Sequence, residues 1–91
     1  IDNVKTLIII SNISQQICHR IMHEAQRGAT ILKGKGAYTN EDKDILLIAV
    51  RRHEMARVKE IVKDEDPNAF IIVCDTSETI GLGFKSINDY K

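Results

Sequence analysis

Several things are scarce or missing in this 91-residue chain, and each absence narrows what it can be. There is no tryptophan, and aromatic residues make up only 4%, which makes Tyr38 one of very few side chains on which a flat ligand could stack. Thirteen basic residues against thirteen acidic ones leave no net charge, which removes the long-range attraction of a polynucleotide-binding domain. The two cysteines, Cys18 and Cys74, have no C-x-x-C partner spacing, so neither a disulfide framework nor a zinc site is indicated and both are expected as small buried hydrophobes. The longest apolar runs, Ile45 to Val50 and Ala69 to Cys74, fall far short of the roughly 20 residues of a membrane-spanning helix. The chain opens on Ile1 and carries no signal-peptide pattern, so it reads as a piece of something longer.

What is present describes a folded domain. Hydrophobic residues form 43% and charged residues 29% of the chain, well away from the composition of disorder, and the length suits one hydrophobic core spanning residues 1–91. Val4 to Ile10 is β-branched and nearly continuous in apolar character, as in a central strand. Ser11, Asn12 and Ser14 offer capping oxygens to a helix whose apolar stripe is Ile13, Ile17, Ile21 and Ala25, with Cys18 and Met22 alongside and Gly28 as its stop. A brief strand over Ala29 to Leu32, a loop over Gly34 to Lys43 and a strand over Asp44 to Arg52 suggest a hairpin. Met55, Val58, Ile61 and Val62 mark a second amphipathic helix that ends at Asp64-Glu65-Asp66 before Pro67, and Ala69 to Asp75 is a fourth strand. The order β-α-β-β-α-β predicts an α+β, ferredoxin-like domain: an antiparallel four-stranded sheet with two helices on one face. That fold hosts many unrelated activities, so function has to be sought in a site.

Two glycine-rich segments are the candidates. Gly34-Lys35-Gly36, followed by Tyr38 and Thr39, combines permissive backbone, an ammonium and an aromatic ring; it suits either a plain hairpin loop or a loop that approaches a phosphate. It lacks the Gly-Lys-Ser/Thr ending of a nucleotide-hydrolysing loop. Tyr38 either stacks on a flat ligand or packs against its own hairpin. Gly81-Leu82-Gly83-Phe84 either walls a pocket or docks a tail on the core. His19 and His23 stand at i, i+4 without a third ligand, which speaks for a solvated helix face rather than a metal. No nucleophile sits in a recognisable catalytic setting and no cofactor motif is present, so the chain is expected not to be an enzyme.

Arg27-Gly28-Ala29-Thr30, Gly34-Lys35-Gly36-Ala37-Tyr38-Thr39, Asp66-Pro67-Asn68-Ala69-Phe70 and Gly81-Leu82-Gly83-Phe84 together resemble the domain that closes YitT-type bacterial membrane proteins. The resemblance covers almost the whole chain. It implies an N-terminal multi-pass membrane region, a position on the cytoplasmic side of the membrane, and no established activity. In organisation the chain is also similar to PII-like signalling proteins, although its loop after the second strand is much shorter and it has no clear set of basic phosphate ligands. That likeness implies a trimer binding an adenine nucleotide or a cyclic dinucleotide in clefts between subunits. Lys35 would then meet a phosphate, Tyr38 would stack on a base, and Gly34, Gly36, Gly81 and Gly83 would allow close approach, with Thr39 and Phe84 completing the lining. The rival reading is an oligomerisation module without a ligand.

Overall fold

The computed structural model describes residues 4–76 and 79–84. Strand β1 (Val4–Ile10) is followed by helix α1 (Ser14–Arg20), which widens into a π-helical turn over Ile21–Ala25. Strands β2 (Thr30–Lys35) and β3 (Asp42–Arg51) form a hairpin. A short 3-10 turn (Arg52–Glu54) leads into helix α2 (Met55–Glu65), and strand β4 (Phe70–Thr76) completes the sheet. The strand order is β2-β3-β1-β4 with every neighbouring pair antiparallel. Each helix therefore joins two strands separated by one other, which is the predicted split-βαβ arrangement.

The sheet's two faces differ sharply. Side chains alternate across a strand, so the residues aligned with Leu7 and Ile9, namely Ile48 and Leu46, share their face. These four are fully buried together with Val50 of β3, Ile17 and Ile21 of the first helical segment, and Val58, Ile61 and Val62 of α2. Both helices thus cover one face and close the core there. Among the described residues no helix lies on the opposite face. Ile8, Leu47 and Ile72 align across it, as do Ile10, Ile45, Phe70 and Leu32. Among these, Phe70 is 70% exposed, Ile72 45% and Leu32 42%.

Local chemistry accounts for several departures from the sequence expectations. The first helix stops where Gln26, not Gly28, takes the left-handed conformation (φ 54°). Ser14 does not cap that helix from outside; it is buried, and its hydroxyl lies 2.7 Å from the Asp44 carbonyl and 3.1 Å from that of Ser11. Ser11 instead accepts the Ile13 N–H (3.0 Å) and donates to Asp66 (2.5 Å). Asp66 also accepts from the Asn68 N–H (2.9 Å), so the acid after α2 serves the turn into β4. Asp64 is balanced by Arg20 (3.3 Å). Of the two cysteines, Cys18 is buried as expected, but Cys74 is exposed, because its register with Thr6 puts it on the helix-free face.

Candidate functional site

The tip of the β2–β3 hairpin carries the first glycine segment, and pairing runs further than the sequence suggests. Gly34 lies opposite Lys43 and Lys35 opposite Asp42, so both belong to β2, and the loop shrinks to the residues from Gly36 to Glu41. Lys35 faces Asp42 at 3.9 Å. The turn is closed by Gly36 N–H to the Glu41 carbonyl and Asn40 N–H to the Gly36 carbonyl, both 2.8 Å, with Asn40 in the left-handed region (φ 62°). A Cβ on Gly36 would stand 2.6 Å from Thr39 Oγ1, the atom that receives the Glu41 N–H (3.3 Å), so the turn is built around a missing side chain. Tyr38 is fully exposed and does not pack on its own hairpin. Beside the tip, Lys43 donates to Asn12 Oδ1 (2.9 Å).

Two adjoining depressions of about 290 Å³ each lie at this end, sharing Ser11, Asn12, Ile13 and Lys43. One is bounded by Asp42 and Asp44, the other by Asp66 and Phe70. Their polar groups are largely bonded to one another. Lys33 (2.7 Å) and Gln15 (2.9 Å) both donate to Asp44 and, in that order of importance, hold its carboxyl below the usual range. Lys33 and Lys35 are paired with Asp44 and Asp42, and Lys43 shares the lining with Asp66, so the depressions carry no excess of positive charge with which to attract an anion. Sequence spacing gave no sign of this cluster, since Ser11, Asp44 and Asp66 are brought together only by the ends of β1, β3 and α2.

The second glycine segment docks at the other end of the sheet. Gly83 has φ 86°, a conformation costly to any other residue, and its carbonyl accepts from Arg51 (3.3 Å). Phe84 lies against two guanidinium groups, those of Arg27 (4.2 Å to the ring centroid) and Arg51 (5.1 Å). Behind them Glu54 is the organising acid: Arg27 Nε donates to both its oxygens (3.0 and 3.2 Å) and the Arg51 N–H to one (2.7 Å). Burial alone would raise the Glu54 carboxyl, but the Arg51 N–H and the Arg27 guanidinium outweigh it and hold the group below the usual range. Neither Arg27 nor Glu54 stood out in the sequence as a partner of the tail.

The two segments do not meet within one chain. Ile10, Ile45 and Phe70 align at the hairpin end, whereas Val4, Arg51 and Thr76 align at the tail end. From Asp42 to Arg51 the strand rises about 30 Å, too far for one small ligand to touch both ends. On α1 and the turn after it, the His19 and His23 rings stack at 4.2 Å, and no group of three or more metal-ligating side chains occurs among the described residues. No helix among them is long and apolar enough to cross a membrane.

Comparison with known proteins places these features. Residues 27–81 match the family described as "Uncharacterized protein conserved in bacteria (DUF2179)". The chain is 41% identical over 80 residues to the UPF0750 membrane protein YpjC of Bacillus subtilis, covering 88% of this chain and 28% of that protein. It is 34% identical over 77 residues to YitT, named as a UPF0750 membrane protein of the same organism, covering 85% of this chain and 28% of that one. The chain therefore spans under a third of the length of these membrane proteins. A crystal structure of a DUF2179 protein from Eubacterium ventriosum superposes with a TM-score of 0.70 at 30% identity, covering 80% of this chain and all of the other. A structure of a functionally unknown protein from Pediococcus pentosaceus, at 14% identity and TM-score 0.74, shares the fold.

Proposed function

The chain belongs to the DUF2179 family of proteins conserved in bacteria, and from that membership we propose that it is a non-catalytic regulatory domain of a YitT-type membrane protein. In this reading it sits on the cytoplasmic side, assembles as a trimer, and senses a small anionic ligand, an adenine nucleotide or a cyclic dinucleotide, at a boundary between copies. The observation that carries it is the hairpin tip: Tyr38, fully exposed, stands three residues from the half-exposed Lys35 on a turn braced internally by Gly36 and Thr39. A large aromatic ring held out on a tight turn suits stacking on a flat partner. A ligand gripped by both this tip and the Gly81–Phe84 segment has to lie between two copies, because one chain holds them at opposite ends of its sheet.

A thermal-shift titration of the chain against adenine and guanine nucleotides and cyclic dinucleotides tests this. A ligand bound only by the native state, at a hundred times its dissociation constant, adds about 2.7 kcal/mol, or a rise on the order of 10 °C for a domain this small. Tyr38→Ala is expected to abolish that rise and leave the unliganded Tm within a few degrees, since the ring has no burial to lose. A rise that persists in the variant removes Tyr38 from the site. Absence of any rise across the panel, with an intact oligomer by light scattering, favours the second reading, a structural assembly module, for which the apolar helix-free face is the supporting observation.

A further inference from the structure

We infer that the guanidinium groups of Arg27 and Arg51, held against Phe84, form a clamp for a phosphoryl group; this rests on the ligand-sensing reading and puts the anionic part of the ligand at the tail end of the sheet, not at Lys35. Charge singles out that end. Glu54 engages Arg27 through Nε, whereas among the described residues Arg51 has no carboxylate partner, so two guanidiniums share one acid. Asp75, the next acid along this end, is taken by Lys5. At the hairpin tip the balance is the reverse: Lys35 faces Asp42 and Lys33 donates to Asp44. Arg51 is therefore a cation without a counter-charge among the described residues, in a chain whose net charge is zero.

Phe84 orients these groups without using up their donors. A guanidinium meets an aromatic ring through its flat face and an anion through its edge, so stacking leaves the in-plane N–H groups open. On Arg27, Glu54 takes Nε and leaves both terminal nitrogens; on Arg51, one terminal nitrogen makes a long bond of 3.3 Å to the Gly83 carbonyl. The Arg27 side chain is 15% exposed, fixed by Glu54 on one side and the ring on the other. Gly83 permits the approach, because a Cβ there would stand 3.0 Å from Arg27 Nη1. Two forks against one ring offer more donors than the two oxygens of a carboxylate can accept, whereas a terminal phosphate has three strong acceptor oxygens. An adenine nucleotide with a terminal phosphate therefore suits the clamp better than a cyclic dinucleotide, whose phosphodiesters each present two free oxygens.

The test uses the 91-residue chain and inorganic pyrophosphate, which carries terminal phosphoryl groups without a base. In nitrogen–proton correlation spectra the side-chain Nε–H signals of Arg27 and Arg51, assigned by their loss in Arg27→Lys and Arg51→Lys, should shift saturably with pyrophosphate and stay in place with sodium chloride at matched ionic strength. Arg51→Gln should weaken pyrophosphate binding about tenfold or more. Its far-ultraviolet dichroism should be unchanged, because the bond to Glu54 comes from the Arg51 backbone. Arg51→Lys keeps the charge but not the fork and should recover part of the loss. Phe84→Ala should also weaken binding, while Lys63→Gln, an exposed cation on α2, should bind as the parent does. Parent-like affinity in both Arg51→Gln and Phe84→Ala overturns the clamp. Binding lost in Lys35→Gln but kept in Arg51→Gln also overturns it, moves the anion to the hairpin tip and leaves ligand sensing intact. Arginine signals unmoved by pyrophosphate, with a nucleotide still raising Tm, have the same consequence; failure of both probes overturns the clamp and the sensing reading together.

Discussion

Leu7→Ala is expected to lower the free energy of unfolding by about 3–4 kcal/mol. Leu7 sits in the middle of β1, itself one of the two central strands, and its side chain is wholly buried on the helix-covered face beside Ile48. Removing it leaves a cavity bounded by strand neighbours that are tied into the ladder and helices whose stripes are already engaged, so the core has little freedom to collapse into the space. For a domain of this size the loss should lower Tm by somewhat more than 10 °C. Leu47→Ala provides the contrast: the same change on the same sheet, but on the open face, should cost under about 1 kcal/mol in the isolated monomer. Urea unfolding of the two variants side by side, at a concentration where the chain is monomeric, checks both. Equal losses would mean that the open face is covered within the single chain.

Glu54→Ala should cost about 2 kcal/mol. The substitution deprives the Arg51 N–H of its acceptor at the start of the turn into α2 and leaves Arg27, only 15% exposed, without its counter-charge. Stranding a partly buried cation is what makes this loss larger than that of a surface ion pair. Glu54→Gln keeps the shape and an acceptor but not the charge, and should lie between the two. The pH dependence has a definite sign. The Glu54 carboxyl is held below the usual range in the folded protein, so its contribution is complete above the ordinary carboxylate pKa of about 4.3 and fades as pH falls through the lower folded value. The difference in urea midpoint between the parent and Glu54→Gln should therefore shrink as pH is taken from about 6 to about 3. A gap unaltered over that interval would show that the charge of Glu54 does not matter and that only its shape does.

Much of the architecture was legible in the linear chain. The apolar stripe of Met55, Val58, Ile61 and Val62 and the break at Pro67 specify α2 without reference to anything distant, and Val4 to Ile10 forms β1 over the expected residues. The hairpin was read three residues too short at the end of β2 and two too short at the start of β3 because Lys33, Gly34, Lys35, Asp42 and Lys43 have weak strand preference by themselves. They pair because Ile31, Leu32, Ile45 and Leu46 next to them are already locked in register. Cys74 was misread as buried for a related reason: inside the apolar run from Ala69, nothing in the residues themselves tells the covered side of a strand from the bare one.

The sequence by itself determined the order of elements, the absence of net charge and of a membrane-crossing helix among the described residues, and the family match over residues 27–81. Those properties depend on neighbours three or four positions apart, or on simple totals. Only the tertiary structure decided that the two glycine segments stand at opposite ends of the sheet, that Arg27, Arg51, Glu54 and Phe84 form one cluster, and that one face of the sheet is left without helices among the described residues. A run such as Ile45 to Val50 offers the same grease to both sides of its strand. Which side is covered follows from both crossover helices passing over the same face of the sheet, a property of the connections that alternation along any one strand does not encode.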